Sequence, residues 1–157
     1  MIKINVVAVG KIKEKYFVEA LGEYSKRLSR YCEFSVIELP EENYSKVDDT
    51  LIEKIKNKEE ESIIPHLKGY VIAMAIEGKK FSSNTFADKI KKLTDLGNGV
   101  ITFVIGGSYG MSNKVKSLAN ELMSFSDMTF PHTFFRVMLT EQLYRAFSII
   151  NNTPYHK

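Results

Sequence analysis

The sequence predicts an α/β fold, a mainly parallel five-stranded sheet with helices on both faces, and three observations carry that prediction. Five short apolar runs rich in β-branched residues read as buried strands. Between them lie longer segments whose apolar residues recur at helical spacing over a charged background. The two patterns alternate along the chain, with Gly and Pro at the joints. No repeat, low-complexity tract or linker interrupts the alternation, so residues 1–157 are read as a single domain.

Taken in order, Ile2 to Val9 is the first strand, ending at Gly10. Phe17, Ala20, Leu21, Tyr24, Leu28 and Tyr31 share one face of an amphipathic helix. Phe34 to Leu39 is a second strand, stopped by Pro40, and residues 41–49 are a polar loop. Leu51, Ile52, Ile55, Ile63 and Ile64 mark a highly charged helix that ends near Pro65. Tyr70 to Ile76 is a third strand, followed by a turn around Gly78. Ser82 or Ser83 caps a helix in which Phe86, Ile90, Leu93 and Leu96 lie on one face, ended by Gly97 and Gly99. Val100 to Ile105 is the most hydrophobic strand and runs into Gly106 and Gly107. Ser112 caps a short helix through Val115, Leu118, Ala119 and Leu122, and Met123 to Ser126 is a brief fifth strand. Pro131 opens a last helix that reaches Ile150.

Phe134, Phe135, Val137, Met138, Leu139, Leu143, Tyr144, Phe147, Ile149 and Ile150 fall all around the wheel of that last helix. A helix apolar on every side must be covered on every side, which points to a twofold homodimer with this helix at the interface, the alternative being a helix wrapped by long loops of its own chain.

Composition narrows the function classes. A hydrophobic fraction of 44%, a charged fraction of 26% and few Gly and Pro exclude a disordered or fibrous chain. No apolar run approaches membrane-spanning length, and no secretion signal is read, so a cytoplasmic protein without membrane attachment is expected. The single cysteine, Cys32, reads as a reduced, small apolar residue of a cytosolic protein, an exposed reactive thiol being the lesser alternative. The formal charge of +3 conceals an uneven distribution, because residues 36–66 carry four basic against nine acidic side chains. The remaining surface is therefore basic enough to face phosphate, although solvated helix faces account for the same numbers. Residues 100–157 hold only eight charged side chains in 58 positions, which marks that third as largely buried.

Three stretches have chemical potential. Gly106-Gly107-Ser108-Tyr109-Gly110 follows a strand and precedes a helix, where free N–H groups suit an anion or an adenosine moiety. It is neither a dinucleotide fingerprint nor a P-loop, and a plain tight turn accounts for it equally well. Ser124 to His132 joins a strand end to a helix start, and its small polar and flat apolar side chains suit a purine and a thioether-like ligand as readily as a simple connection. Asn151 to Lys157 ends on Tyr155, His156 and Lys157: a stacking ring, a titratable imidazole and an ammonium that suit single-stranded RNA, in a position where chain ends commonly fray. The three histidines are scattered without ligand spacing, so no metal is expected.

Together these residues resemble the RlmH family of bacterial large-subunit ribosomal RNA methyltransferases, in the SPOUT superfamily. The resemblance spans the chain: Val7-Ala8-Val9-Gly10-Lys11, Glu77-Gly78-Lys79, Phe103 to Ser108, Ser124 to His132, Arg136-Val137, Glu141 to Phe147, and Pro154-Tyr155-His156-Lys157. It implies a SPOUT fold with a C-terminal trefoil knot, a homodimer, and methyl transfer from S-adenosylmethionine (SAM) to N3 of a pseudouridine in 23S rRNA on the ribosome. It assigns SAM binding to Met74, Gly106, Phe125, Ser126, Asp127, Met128, Thr129 and Phe130. Arg145, Tyr155, His156 and Lys157 fall on the substrate side, completing the partner subunit's site. Within that set, His156 is the expected proton acceptor, Tyr155 the stacking platform and Arg145 the stabiliser of charge on the base carbonyls. Ala75 departs from the pattern, standing where relatives carry an acidic residue, so either Glu77 serves in its place or the role is dispensable. Two other readings compete: a flavodoxin-like domain holding a phosphorylated cofactor at Gly106 to Gly110, and a non-catalytic RNA- or ribosome-binding dimer of the same fold.

Overall fold

In the computed structural model, which describes residues 1–157, the elements run β1 (Lys3–Val9), α1 (Lys15–Leu28), β2 (Glu33–Leu39), α2 (Asp49–Ile63), a 3₁₀ turn (Ile64–His66), β3 (Tyr70–Lys80), α3 (Ser83–Asp95), β4 (Val100–Ile105), α4 (Asn113–Leu118), β5 (Glu121–Ser124) and α5 (His132–Ile150). All strand pairs are parallel, in the order β2-β1-β4-β3-β5. A flavodoxin-like sheet would run 2-1-3-4-5, so the exchange of the third and fourth strands sets that reading aside.

Side-chain alternation sorts the core into two layers. Ile4, Val6, Ala8, Ile72, Ile101, Phe103 and Ile105 face Leu28 of α1, Phe86 and Ile90 of α3, and Leu139 and Leu143 of α5. Val7, Val9, Val71, Ala73 and Val104 face the other way, against Ile63 of α2 and Val115 of α4. Cys32 is buried in the first layer, and burial pushes its thiol up to about 12, which keeps it protonated and unreactive.

Local chemistry sets the ends of the elements. Asp48 accepts the Leu51 amide and starts α2. At α3 the choice falls on Ser82, which exchanges two hydrogen bonds with Thr85 as a capping box. Ser112 caps α4 as expected, but that helix stops at Leu118, and Leu122 belongs to β5, which starts two residues earlier than its apolar run suggested. Nor does β3 turn at Gly78. Its pairing with β5 breaks after Met74 and resumes at Lys79, both opposite Met123, so residues 75–78 arch off the strand. Gly78 rides on the β5 backbone, where a Cβ would come within 2.5 Å of the Met123 nitrogen, and no other residue fits.

The last helix also behaves differently from its wheel. α5 lies on the sheet between α1 and α3, and from Phe135 to Ile150 none of its residues is exposed. One chain therefore covers most of a helix whose apolar surface had seemed to require a second. Phe134, at its first turn, remains exposed and stacks on Phe17 of α1, ring centroids 5.4 Å apart. No helix is long and apolar enough to cross a membrane.

Candidate active site

The carboxyl ends of β3, β4 and β5 converge on a cavity of about 740 Å³. Its walls are the 74–77 arch, the 105–111 loop after β4, and the segment from Met123 to His132 that leads from β5 into α5. Met74, Gly106, Phe125, Ser126, Met128, Thr129 and Phe130 line this one space, as do Met111, Met123 and Phe135. Asp127 does not. Its side chain points outward, is 82% exposed and pairs with Lys80 at 2.6 Å, so its contribution is to hold the loop.

Close backbone packing shapes the walls. Gly107 bridges to Gly110, whose φ of +82° suits glycine, and a Cβ on Gly106 would meet Gly110 at 2.8 Å and Met111 at 2.9 Å. The opposite loop is pinned from within: Ser124 Oγ donates to the Ser126 carbonyl, and Ser126 Oγ accepts the Met128 amide. Met128 and Ile76 stay exposed and form an apolar part of the rim.

Charge around the cavity is paired. Lys116 donates to Glu77 at 2.7 Å, and this ion pair holds the Glu77 carboxyl below its usual range. Ala75 and Glu77 both line the space, so the carboxylate expected at position 75 has a neighbour two residues on. Glu41 joins two walls, accepting from Ser108 Oγ at 2.9 Å and standing 3.5 Å from His132 Nε2. Glu38 accepts from the fully buried Arg136 at 2.9 Å, and the same guanidinium donates to the carbonyls of Gly10 and Val9. Sequence reasoning gave Glu38, Glu41 and Arg136 no role, because each acts on residues far away in the chain. No group of three His, Cys, Asp or Glu side chains is placed to hold a metal ion.

Behind Gly107 lies Glu59 of α2, 4% exposed, its Oε2 accepting the Glu42 amide at 3.3 Å. Burial, helped by Glu41 and Glu42, pushes its carboxyl up to about 6. For an acid raised on folding, the stabilisation is complete below the ordinary value near 4.5 and is lost as pH rises through 6. Glu59→Gln is therefore expected to stabilise the protein at pH 8 by about 2 kcal/mol, or roughly 4–8 °C in Tm. Thermal melts at pH 8 and pH 4 check this, since the gain must disappear at the lower pH.

A second cluster forms at the far end of α5. Glu141 Oε1 accepts from Tyr155 OH at 3.0 Å and from Arg145, an i,i+4 pair that the sequence carries openly but to which no role had been given. Arg145 also donates to His156 Nδ1 at 3.0 Å, and its guanidinium lies over the Tyr155 ring, 4.8 Å from the centroid. Burial and the Glu141 bond push the Tyr155 hydroxyl up to about 12. Lys157 is exposed. Arg145, Tyr155 and His156 are thus brought together, but none of them lines the cavity. Phe135, the last α5 residue in the cavity wall, is ten positions before Arg145, about 15 Å along the helix. Arg145, Tyr155 and His156 therefore lie outside the cavity, and only Glu141 of their cluster reaches an adjoining groove, which it lines with Phe125 and Phe130.

Comparison with known proteins gives a consistent picture. Residues 2–156 match the family described as Predicted SPOUT methyltransferase. The chain is 51% identical over 160 residues to Ribosomal RNA large subunit methyltransferase H of Clostridium perfringens, covering 98% of this chain and 99% of that protein. It is 47% identical over 157 residues to the protein of the same name from Limosilactobacillus reuteri, with the same coverage. Among solved structures, it is similar to a Legionella pneumophila methyltransferase in complex with SAM, with a TM-score of 0.52, 13% identity, and coverage of 92% of this chain and 66% of that one.

Proposed function

The chain belongs to the SPOUT methyltransferase family and is a SAM-dependent methyltransferase of large-subunit ribosomal RNA, and we propose that its target is N3 of a pseudouridine in 23S rRNA. The observation that carries the reading is the character of the cavity. It is lined by Met74, Met111, Met123, Phe125, Phe130 and Phe135 together with small polar residues, and Lys116 at its edge is neutralised by Glu77. Such walls suit a flat purine and a sulfur-bearing chain and offer no free cation to a phosphate. SAM fits that description, and when bound it supplies an already activated methyl group.

Met74, Gly106 and the run Phe125 to Phe130 are the proposed cofactor residues. Gly106 keeps the 106–111 loop flat enough for close approach, and Ser126 and Thr129 offer hydroxyls in an otherwise apolar enclosure. Asp127 acts through its pair with Lys80. The protein's remaining tasks are to place the base in line, exclude water and receive the N3 proton. Those fall to Arg145, Tyr155 and His156, with Glu141 as the carboxylate that orders them.

Because that cluster and the cavity lie apart in one chain, the working unit in this reading is a homodimer in which one subunit's tail closes its partner's cavity. Partly exposed apolar side chains beside α5, among them Phe134, offer surface for the contact. A C-terminal trefoil knot is part of the same proposal. Its support is the route of the chain, which passes β3 on the α4 face, forms β5 at the sheet edge beneath the 75–78 arch, and returns on the α5 face. An rRNA substrate supports a cytoplasmic location as part of the same reading.

Mass spectrometry of rRNA from a strain lacking the gene tests the activity, since persistence of the methylated pseudouridine would exclude this chain as its writer. Calorimetry tests the cavity: SAM is expected to bind, and Gly106→Val to abolish binding while leaving the fold intact by circular dichroism.

A further inference from the structure

The segment between β1 and α1 emerges beside the cavity. Ala8 pairs with Ile105, so the ends of β1 and β4 are adjacent and Gly10 lies next to the loop that forms one cavity wall. A Cβ on Gly10 would touch both Glu41 and His132, and His132 lines the cavity. The segment is held firmly. Ile12 is 6% exposed, and its amide donates to Glu38 Oε2 at 2.9 Å, the same oxygen that Arg136 grips while also holding the Gly10 carbonyl. With Ile12 anchored inward by side chain and backbone, Lys11 and Lys13 on either side of it are exposed.

Neither lysine has an acidic partner within ion-pair distance, in contrast to Lys80 and Lys116 on the other side of the cavity, which are held by Asp127 and Glu77. The nearest lysine in sequence, Lys15, is drawn toward Glu19 at 3.9 Å. Of the acidic residues in 36–66, those of α2 lie on the opposite face of the sheet from α1, and the two carboxylates nearest Gly10 are already engaged, Glu38 by Arg136 and Glu41 by Ser108 and His132. On the β1 side of the cavity an approaching anionic polymer therefore meets free positive charge at Lys11 and Lys13, while Lys79 and Lys114 are exposed on the other side.

We propose that Lys11 and Lys13, splayed on either side of the buried Ile12, form a preorganised contact for the phosphate backbone of the RNA strand that enters the cavity. The proposal rests on the RNA substrate inferred above and adds where that RNA is gripped. An unpaired ammonium loses little by exchanging water for phosphate and releases a condensed counterion when it binds. The Arg136–Glu38–Ile12 anchor removes most of the ordering cost, since the loop is already in place.

The test is equilibrium binding to 23S rRNA freed of protein, over a series of salt concentrations. Wild type is compared with Lys11→Gln/Lys13→Gln and with a charge-matched control, Lys54→Gln/Lys92→Gln. The expected result is a Kd raised about tenfold for the first variant and a log–log salt slope flattened by roughly 1.4–1.8, two phosphate contacts' worth. The control is expected within twofold of wild type, and calorimetric SAM affinity unchanged in all three. An unchanged slope, or equal losses in both variants, would overturn the proposal by making the effect one of net charge. Loss of SAM binding would overturn it too, by placing the lysines in the cofactor site. A defect seen with intact ribosomes and not with bare rRNA would assign the pair to an acidic ribosomal protein. Binding requires no methyl transfer, so a chain that grips rRNA through these lysines yet leaves it unmethylated would sink the proposed activity and leave this contact standing.

Discussion

Replacing His156 with Ala is expected to slow single-turnover methylation, at saturating SAM and ribosome, by on the order of 10²-fold. Mixing that variant with Gly106→Val protein, itself inactive, is expected to restore about a quarter of wild-type activity. The two results test separate steps. The first asks whether the imidazole takes part in the reaction. A rate within a few-fold of wild type would remove it from the list of bases. Geometry adds a constraint: an arginine can only donate, so its bond to His156 Nδ1 leaves the neutral ring with its proton on Nε2. In that arrangement His156 presents a donor, and it must be released from Arg145 before Nδ1 can accept a proton. Glutamine at position 156 separates the roles, since it can still donate but cannot take up the N3 proton. Recovery of rate in His156→Gln would make the residue a hydrogen-bond donor and not the base.

The mixing result asks whose tail serves which cavity. With free exchange of subunits, half of the dimers are mixed. In each of those, the His156→Ala chain offers an intact cavity and the Gly106→Val chain an intact tail. If tails act across the interface, one of the two sites is whole, which gives about a quarter of full activity. If they act within a chain, no complete site exists and mixing restores nothing. The separation along α5 favours the first outcome, the second requiring the tail to reach back some 15 Å to its own cavity.

That separation also shows what the sequence made legible and what it did not. Helix and strand periods located nearly every element, and Val100–Ile105 coincides with its apolar run because both faces of that central strand are buried. β5 was misplaced because Leu122 continues the helical spacing of Val115 and Leu118, and only pairing with β3 decides between the two. The 75–78 arch was hidden for a similar reason: Gly78 reads as a turn, whereas its lack of a side chain serves close packing on β5. The wheel of α5 suggested a dimer from apolar surface that α1, α3 and the sheet already cover, so the stronger argument is the distance between tail and cavity. Seven of the eight cofactor residues proposed from resemblance line one space, but the carboxylates that brace it, Glu38, Glu41 and Glu59, reach across tens of residues and leave no periodic mark.

Arg136 shows the energetic side of that point, and Arg136→Ala is expected to destabilise the protein by about 3–5 kcal/mol. The side chain is fully buried on α5, one turn after His132, and its guanidinium ties together Val9, Gly10 and Glu38 at the ends of β1 and β2. Burial lowers its pKa while Glu38 opposes the change, so the charge is retained at the expense of desolvation. Truncation leaves two backbone carbonyls without this donor, removes the partner of Glu38 and opens a cavity the size of a long side chain. For a chain of this length the loss corresponds to a fall in Tm of roughly 6–20 °C. Arg136→Met separates packing from charge: it refills most of the volume without burying a cation, and an apolar replacement for a buried ion commonly costs far less than truncation. Methionine melting well above alanine would show that filled space dominates. Equal losses would show that the three acceptors do, and that the start of α5, with the cavity wall it carries, is held to the sheet by hydrogen bonds.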